Sequence, residues 1–309
     1  MQVLVFHIHS SNRIIAKKTN NRMKNMEMQI RNIVSLFIVF TAIGVLLSTC
    51  NKDTKLKQQE IPISGEITRI YIEGPWDVVI TQDSTNNSVV LEYDVPEKNI
   101  KTEYSTSGIL RVKVYEMDGI ERKVLRLRIK ATALLEIEAL DGAKIQTSGI
   151  FRSYSDVYLS GASQLNEFWC EDGHIKLILS GASEINNLTY IGSNFHAHII
   201  DGSKVNLQNI QMSSCSGCQV KLFNRSEFSG SGRISCTPSF FGVDGSVFKT
   251  FDIESASLDV DFSGGVSAEV TASHEIKGKL SWGSKLKYKK ATNISGVSVD
   301  EYSEIIKIE

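Results

Sequence analysis

One short segment constrains this chain more than any other feature. Leu159-Ser-Gly-Ala-Ser163 returns twenty residues later as Leu179-Ser-Gly-Ala-Ser183. Leu140-Asp-Gly-Ala-Lys144, Ile200-Asp-Gly-Ser-Lys204 and Val243-Asp-Gly-Ser-Val247 are close variants. Phe223-Asn-Arg-Ser-Glu227, Phe262-Ser-Gly-Gly-Val266, Leu280-Ser-Trp-Gly-Ser284 and Val299-Asp-Glu-Tyr-Ser303 are weaker ones. Nine copies between Leu140 and Ser303 give a mean period near 20. A unit this short cannot bury its apolar row alone. It must stack on its neighbours, which is the sequence signature of a solenoid.

Aligned on these copies, the first column is apolar throughout and the second is Asp, Ser or Asn. The third is Gly in six of nine, which permits positive φ or close backbone approach. Short polar side chains beside it can hydrogen-bond nearby backbone. The alignment therefore assigns structural corners to Asp141-Gly142, Ser160-Gly161, Ser180-Gly181, Asp201-Gly202, Asp244-Gly245 and Ser263-Gly264. Between corners the apolar residues alternate, as in Leu258-Asp-Val-Asp-Phe262, and period two means strands. The fold class is all-β, a β-helix-like solenoid. Nine coils at about 4.8 Å each make a rod of roughly 40 Å. A twisted sandwich of hairpins is the alternative, and a small-residue column every 20 positions fits it less well. Only four prolines interrupt the chain, which suits continuous ladders. Segments such as Ile67–Ile72, Val89–Tyr93 and Val124–Lys130 also read as strands but repeat less clearly. Solenoid ends expose strand edges, so this part is expected to cap or begin the stack.

The N-terminus reads as an address. Ile33 to Leu47 is apolar and uncharged, with Lys24 and Arg31 before it. It is short for a bilayer-spanning helix, which needs about 20 apolar residues, and fits a signal-peptide core. It ends in Leu47-Ser-Thr-Cys50, which resembles a bacterial lipobox with Cys50 as the lipidated residue. Thr49 departs from the usual Gly, Ala or Ser, and an uncleaved anchor helix is the alternative. Residues 1–22 read as an over-long start, with Met23 or Met26 giving a more ordinary signal peptide. The expected organisation is residues 1–49 as extension and signal peptide, 50–62 as lipidated Cys and flexible tether, and 63–309 as the solenoid. Residues 63–135 form its N-terminal part. Lipid attachment would make a membrane the first partner, since two or more acyl chains anchor stably where one is marginal. The expected location is the outer membrane or cell envelope of a Gram-negative bacterium, facing the periplasm or the surface.

Net charge excludes one partner class. The chain carries −1. Cations before Cys50 outnumber acids by five, which leaves −6 on the remainder. Nucleic acid needs a basic footprint that is missing here.

Ile70-Tyr-Ile-Glu-Gly-Pro-Trp-Asp-Val-Val-Ile-Thr-Gln82, followed by a strand-rich stretch and the two Ser-Gly-Ala-Ser corners, resembles the auto-transporter adhesin head GIN domain family. The resemblance covers Ile67 to Ile308. It implies a right-handed parallel β-helix-like fold on secreted and lipid-anchored bacterial proteins. Such a fold is similar in shape to pectin lyases but lacks their catalytic residues. Arg225, Trp282 and Glu301 depart from the Gly column.

The search for chemistry finds little that converges. Cys215-Ser-Gly-Cys218 has zinc or redox spacing, but no second C-x-x-C supplies further ligands beside Cys170 and Cys236. Cys215 and Cys236 lie about one coil apart, so buried thiols and a disulfide both stay open. His196 and His198 alternate and share one strand face, with His198 read as partly buried. Glu167, Glu171 and Asp172 cluster near one turn, and Asp259 and Asp261 share a strand. Such acids read as a solvated face. Trp169, Tyr190, Phe240, Phe241, Trp282 and Tyr288 form a binding stripe if outward and core if inward. Phe241 reads as core and Trp282 as exposed. No nucleophile elbow, P-loop or dinucleotide fingerprint occurs. The reading is a non-catalytic binding or adhesion module with no cofactor and no metal, and a glycan or protein as ligand. Homo-oligomerisation stays open. A carbohydrate-active enzyme on the same scaffold and a purely structural envelope protein are the rivals.

The lipobox generates a direct test. Cys50→Ser is expected to move the protein out of the detergent phase and to leave an unprocessed band. Equal partitioning and mobility for mutant and parent would count against lipidation.

Overall fold

The computed structural model describes residues 56–115, 123–152 and 155–309. Cys50, the apolar segment before it, most of the tether and the side chain of Asp172 lie outside them. All but one of the described elements are strands, the exception being a single 3-10 turn at Glu97–Asn99. They hydrogen-bond into one continuous sheet, parallel except at its N-terminal end, that winds as a solenoid.

Each full coil has three faces. The first carries Glu136–Leu140, Ser155–Leu159, Gly217–Leu222 and Ser239–Gly242, with the C-terminal parts of the longer strands between and after them. The corner follows. The second face carries Lys144–Ser148 and Gln164–Asn166, then the starts of Glu184–Ile199, Lys204–Met212 and Glu227–Ile234. The third runs from Ile150–Arg152 through Tyr190, Ile210 and Ile253. On the first face, Leu159, Leu179, Ile199, Leu222, Gly242, Phe262, Leu280 and Val299 are successive register partners. Their spacings are 20, 20, 23, 20, 20, 18 and 19 residues, so the twenty-residue period is a true coil length.

The interior follows from alternation. Ile145, Leu165, Ile185, Val205, Phe228 and Phe248 stack as register partners on the second face, all buried. Rings run up the later coils: Phe240 lies 5.2 Å from Phe248, and Phe248 5.1 Å from Phe262. Gly242 breaks the first-face row because a Cβ there would sit 2.9 Å from the Phe248 ring. Burying each such ring contributes about 1.5–3 kcal/mol, so the stack is the main source of cohesion.

The corners are the most regular part. Two consecutive residues take positive φ in each: Asp141 and Gly142, Gly161 and Ala162, Gly181 and Ala182, Asp201 and Gly202, Asn224 and Arg225, Asp244 and Gly245, Gly264 and Gly265, Trp282 and Gly283. Paired positive φ belongs to the primed turns, where Asp-Gly and Asn-Gly are favoured. The residue closing the turn is a buried Ser in most coils. Ser163 and Ser183 donate Oγ–H to the carbonyls of Ser160 and Ser180 at 2.8 Å. Ser226, Ser246 and Ser284 repeat the contact at 2.6, 2.6 and 2.8 Å. Corners also bond across coils, since Ala162 N–H donates to Gly181 O and Ala182 N–H to Asp201 O.

This geometry corrects the alignment of the repeats. Leu159 pairs with Ala139, and Leu179 with Ile199, not with Leu140 and Ile200. Asp141, Asp201 and Asp244 therefore match Gly161, Gly181 and Gly264, while Ser160, Ser180 and Ser263 sit one place earlier. Leu140, Ile200, Phe223 and Val243 are half-buried and lie outside the inward row. An apolar residue before an Asp-Gly turn imitates the inward residue before Ser-Gly-Ala, which slips four copies by one. The slip misplaces Phe241, which is outward, while Phe240 holds the inward place. His198 is half-buried, as its alternation suggests, and Ala197 beside it points inward.

At the N-terminal end the order of layers departs from chain order. Ile109–Val114 and Leu125–Ala131 stack outside Arg69–Glu73 and Asp77–Gln82. Ile100–Tyr104, Ser88–Tyr93 and Lys57–Ile61 then pair antiparallel and close that end. Trp76, from the Gly-Pro-Trp-Asp segment, is fully buried there.

Two substitutions test the corner. Gly181 has φ +62, and its Cβ would meet Gly161 N at 3.0 Å, so Gly181→Val is expected to cost about 1–3 kcal/mol. Ser183→Ala removes a buried hydrogen bond and is expected to cost about 1–2 kcal/mol. The half-buried Ser180→Ala should change stability by less than about 0.5 kcal/mol. Equal urea midpoints for all three would remove the turn from the account of stability.

Candidate functional site

The irregular coils make the surface features. The coil from Phe262 to Leu280 has 18 residues, and its ladder passes from Thr250↔Val270 directly to Glu254↔Thr271. Phe251, Asp252 and Ile253 thus have no ladder partner on that side, and the third face resumes at Glu254↔Thr271. An open groove of about 640 Å³ runs along the third face beside this break. Gln211, Arg233 and Glu254 are successive register partners and line it in one row. Ser235, Ser273 and Lys290 line its edges. Lys290 donates a hydrogen bond to Glu254, and that bond, then the lysine charge, holds the Glu254 carboxyl below its ordinary value. The lining is amide, hydroxyl and guanidinium over a floor that includes Met212 and Ile234. Pockets of about 300–1,000 Å³ with a few placed polar groups are the usual dimensions of a small-ligand site.

The groove was not legible from motifs. Its row of Gln211, Arg233, Glu254 and Thr271 comes from successive coils.

On the outer side of the first face is a second, smaller hollow of about 200 Å³. His196 and His198 both line it, together with Lys176, Gln219 and Lys221. The register pairs Lys176↔His196↔Gln219 and Ile178↔His198↔Lys221 put these side chains on three adjacent strands. The His174 and His196 rings stack at 5.5 Å, and His198 meets Phe223 at 4.9 Å. Burial first, then the charges of His174, Lys221 and Lys176, hold the His196 imidazole below its ordinary value. Burial and Lys221 do the same for His198. Among the described residues no group of three or more metal-ligating side chains converges.

The acids singled out by sequence are dispersed. Glu171 lies 3.7 Å from Arg152, and Glu167 accepts a hydrogen bond from Gln146 at 2.6 Å. Asp201 accepts from Asn224 at 2.8 Å. Asp259 lines a notch of about 280 Å³ with Glu275 and Lys277, and the last two are paired at 2.8 Å. Of the aromatic residues, Tyr190, Phe240 and Tyr288 are buried, while Trp169 and Trp282 are exposed. Tyr190 donates to Gly173 O and accepts from Asn194 N–H inside the coil. Cys215 and Cys236 form a disulfide at the corner that leads into the first face. Cys170 and Cys218 are buried outside it, and burial pushes the Cys218 thiol up to about 12. No helix among the described residues is long and apolar enough to cross a membrane.

A parallel solenoid with Ser-Gly-Ala-Ser corners and a strand-capped end is the architecture that the comparisons meet. The family model described as "Putative auto-transporter adhesin, head GIN domain" matches residues 66–291. The chain belongs to this family. The head GIN segment takes in both surface features, from Lys176 to Lys290. Two crystal structures share the fold. A "putative adhesin" from Parabacteroides merdae aligns with TM-score 0.59 and 11% identity, covering 83% of this chain and 98% of that one. A "putative lipid binding protein" from Parabacteroides distasonis aligns with TM-score 0.58 and 13% identity, again covering 83% and 98%. Identities this low carry the fold and nothing further. Among curated proteins no match is found.

Trp282 offers a test of what a corner tolerates in the head GIN fold. It has φ 58 in a place that other coils give to Gly, Asp or Asn, and it is 74% exposed. A bulky residue in this conformation costs about 1–2 kcal/mol. Trp282→Gly is therefore expected to raise the melting temperature, by up to about 3 °C for a domain of this size. A fall of that size would show that the indole is held by contacts that matter.

Proposed function

We propose that the protein is a lipid-anchored, non-catalytic binding module of the bacterial cell envelope that holds a glycan in the groove on its third face. The lining of that groove carries the reading. Gln211, Arg233, Ser235 and Ser273 offer donors and acceptors in the density that a sugar's hydroxyls require, and the groove is open along one side. The family description supports adhesion as the use of such binding. Export is supported by the apolar N-terminal segment and by the Cys215–Cys236 disulfide, since disulfides persist in oxidising compartments. Anchoring rests on Leu47-Ser-Thr-Cys50. The absence of turnover rests on the lining, where Glu254 is the one acid and is engaged by Lys290. Glycoside hydrolysis needs two carboxyl groups across the bond.

The notch of Asp259, Glu275 and Lys277 favours a second reading, a carbohydrate-active enzyme, because it does bring two acids to one place. One experiment separates the two. A panel of bacterial and host polysaccharides is incubated with the protein, with and without calcium, and both retention and cleavage are followed. The expected result is retention without cleavage, weakened about tenfold or more by Arg233→Gln, as suits loss of a charge-assisted hydrogen bond. Cleavage abolished by Asp259→Asn or Glu275→Gln would replace the binding reading with the enzymatic one.

A further inference from the structure

The hollow on the first face carries an inference of its own, independent of the groove. Its polar lining is cationic or cationisable: Lys176, His196, His198 and Lys221, with Gln219 as an uncharged donor. Lys221 forms no ion pair among the described residues, whereas fourteen other cations do. On a soluble part that is acidic overall, this is a local reversal of sign. Among the described residues, charged and titratable groups stand on both sides of it, Asp259 among them, two strands beyond Gln219 and past Ser239. His174 and Lys176 come from the preceding coil, and Lys221 from the following one. Asp156 and Tyr158 lie one strand beyond Lys176, and the tyrosine hydroxyl donates to that carboxylate at 3.0 Å. Asp261 lies two strands beyond Lys221, past Phe241. Among the described residues no acid lines the hollow. Half-buried rings flank it, with Phe223 5.5 Å from Phe241 and 4.9 Å from His198.

We propose that this hollow binds an oxyanion substituent, a sulfate or a carboxylate, of an acidic polysaccharide, with the sugar ring lying over Phe223 and Phe241, and that binding strengthens as pH falls. The volume of about 200 Å³ suits one such substituent and leaves the rest of the polymer on the face. Aromatic faces offer an apolar platform for the C–H side of a sugar.

The sign of the pH effect follows from linkage. Both imidazoles are held below their ordinary value by burial and by neighbouring cations, so both are neutral at neutral pH. An oxyanion between them offsets that repulsion and raises their proton affinity. Protons are then taken up on binding, and affinity rises as pH falls towards the depressed values. Each imidazole that takes up a proton contributes up to about tenfold per pH unit.

The test uses the full chain in a neutral detergent, with dextran sulfate, neutral dextran and inorganic sulfate as probes. Dextran sulfate is expected to bind about tenfold or more tightly at about pH 5.5 than at about pH 7.5, and neutral dextran to show no such change. His196→Gln with His198→Gln should abolish the pH dependence, and Lys221→Gln should weaken binding at both pH values. Arg233→Gln in the groove should leave all of this unchanged, so failure of one site is distinguishable from failure of the other. Equal affinity at the two pH values, or a pH dependence that survives the double histidine variant, would overturn the proposal. Inorganic sulfate binding as tightly as the polymer would overturn the polysaccharide part of it. Proton NMR of the parent protein keeps the test independent of how the variants fold. The His196 and His198 resonances should titrate at higher pH with dextran sulfate than without it, and unmoved titrations would refute the site.

Discussion

A buried serine hydroxyl at most corners holds the rest of the molecule in place. Two residues with positive φ turn the chain sharply and would leave a carbonyl inside the stack. The closing serine donates to that carbonyl, and the corner N–H groups donate onward to the next coil. A buried acceptor without a partner costs about 1–3 kcal/mol, which the serine avoids in the coils that carry it. The contact is local, so each such coil supplies it for itself, while Ala143 and Val266 close the turn in two others. The apolar rows are then brought into register as a by-product, and Phe228, Phe240, Phe248 and Phe262 fill the interior.

Regularity at the corners leaves the other two connections free to vary. The 23-residue coil gains residues where the third face joins the first, the 18-residue coil loses them where the second joins the third, and the corners stay aligned around both. The longer coil carries Ser213 to Ser216 and so places Cys215 against Cys236. The shorter one drops three residues between the second face and the third, beside the groove. Outward strand positions vary for the same reason, since nothing in the stacking requires them. The histidines and lysines of the first face occupy such positions.

Much of this fold was legible in the sequence because the repeat reports directly on coil length. The period, the strand alternation and the presence of corners follow from it. The register at each corner did not follow, because Leu140, Ile200, Phe223 and Val243 are apolar without being inward. A half-buried outward apolar residue and a core residue look alike in one dimension. That ambiguity put Phe241 in the core, where Phe240 sits instead. The pairing of His196 with His198 was legible from alternation alone. The groove was not, since its lining is gathered from successive coils and no local motif marks it.

The disulfide between Cys215 and Cys236 has a mechanical consequence. Coils in a stack are linked in series, so tension between the N-terminal end and the last coils peels them one after another. Each residue released would extend the chain by about 3.4 Å. The cross-link spans 21 residues, and those residues cannot be drawn out while it is intact. About 70 Å of extension is thereby withheld. The coils nearest the groove would keep their shape under a pull that has already opened others, and reduction of one bond would lengthen the protein under load without altering its resting form.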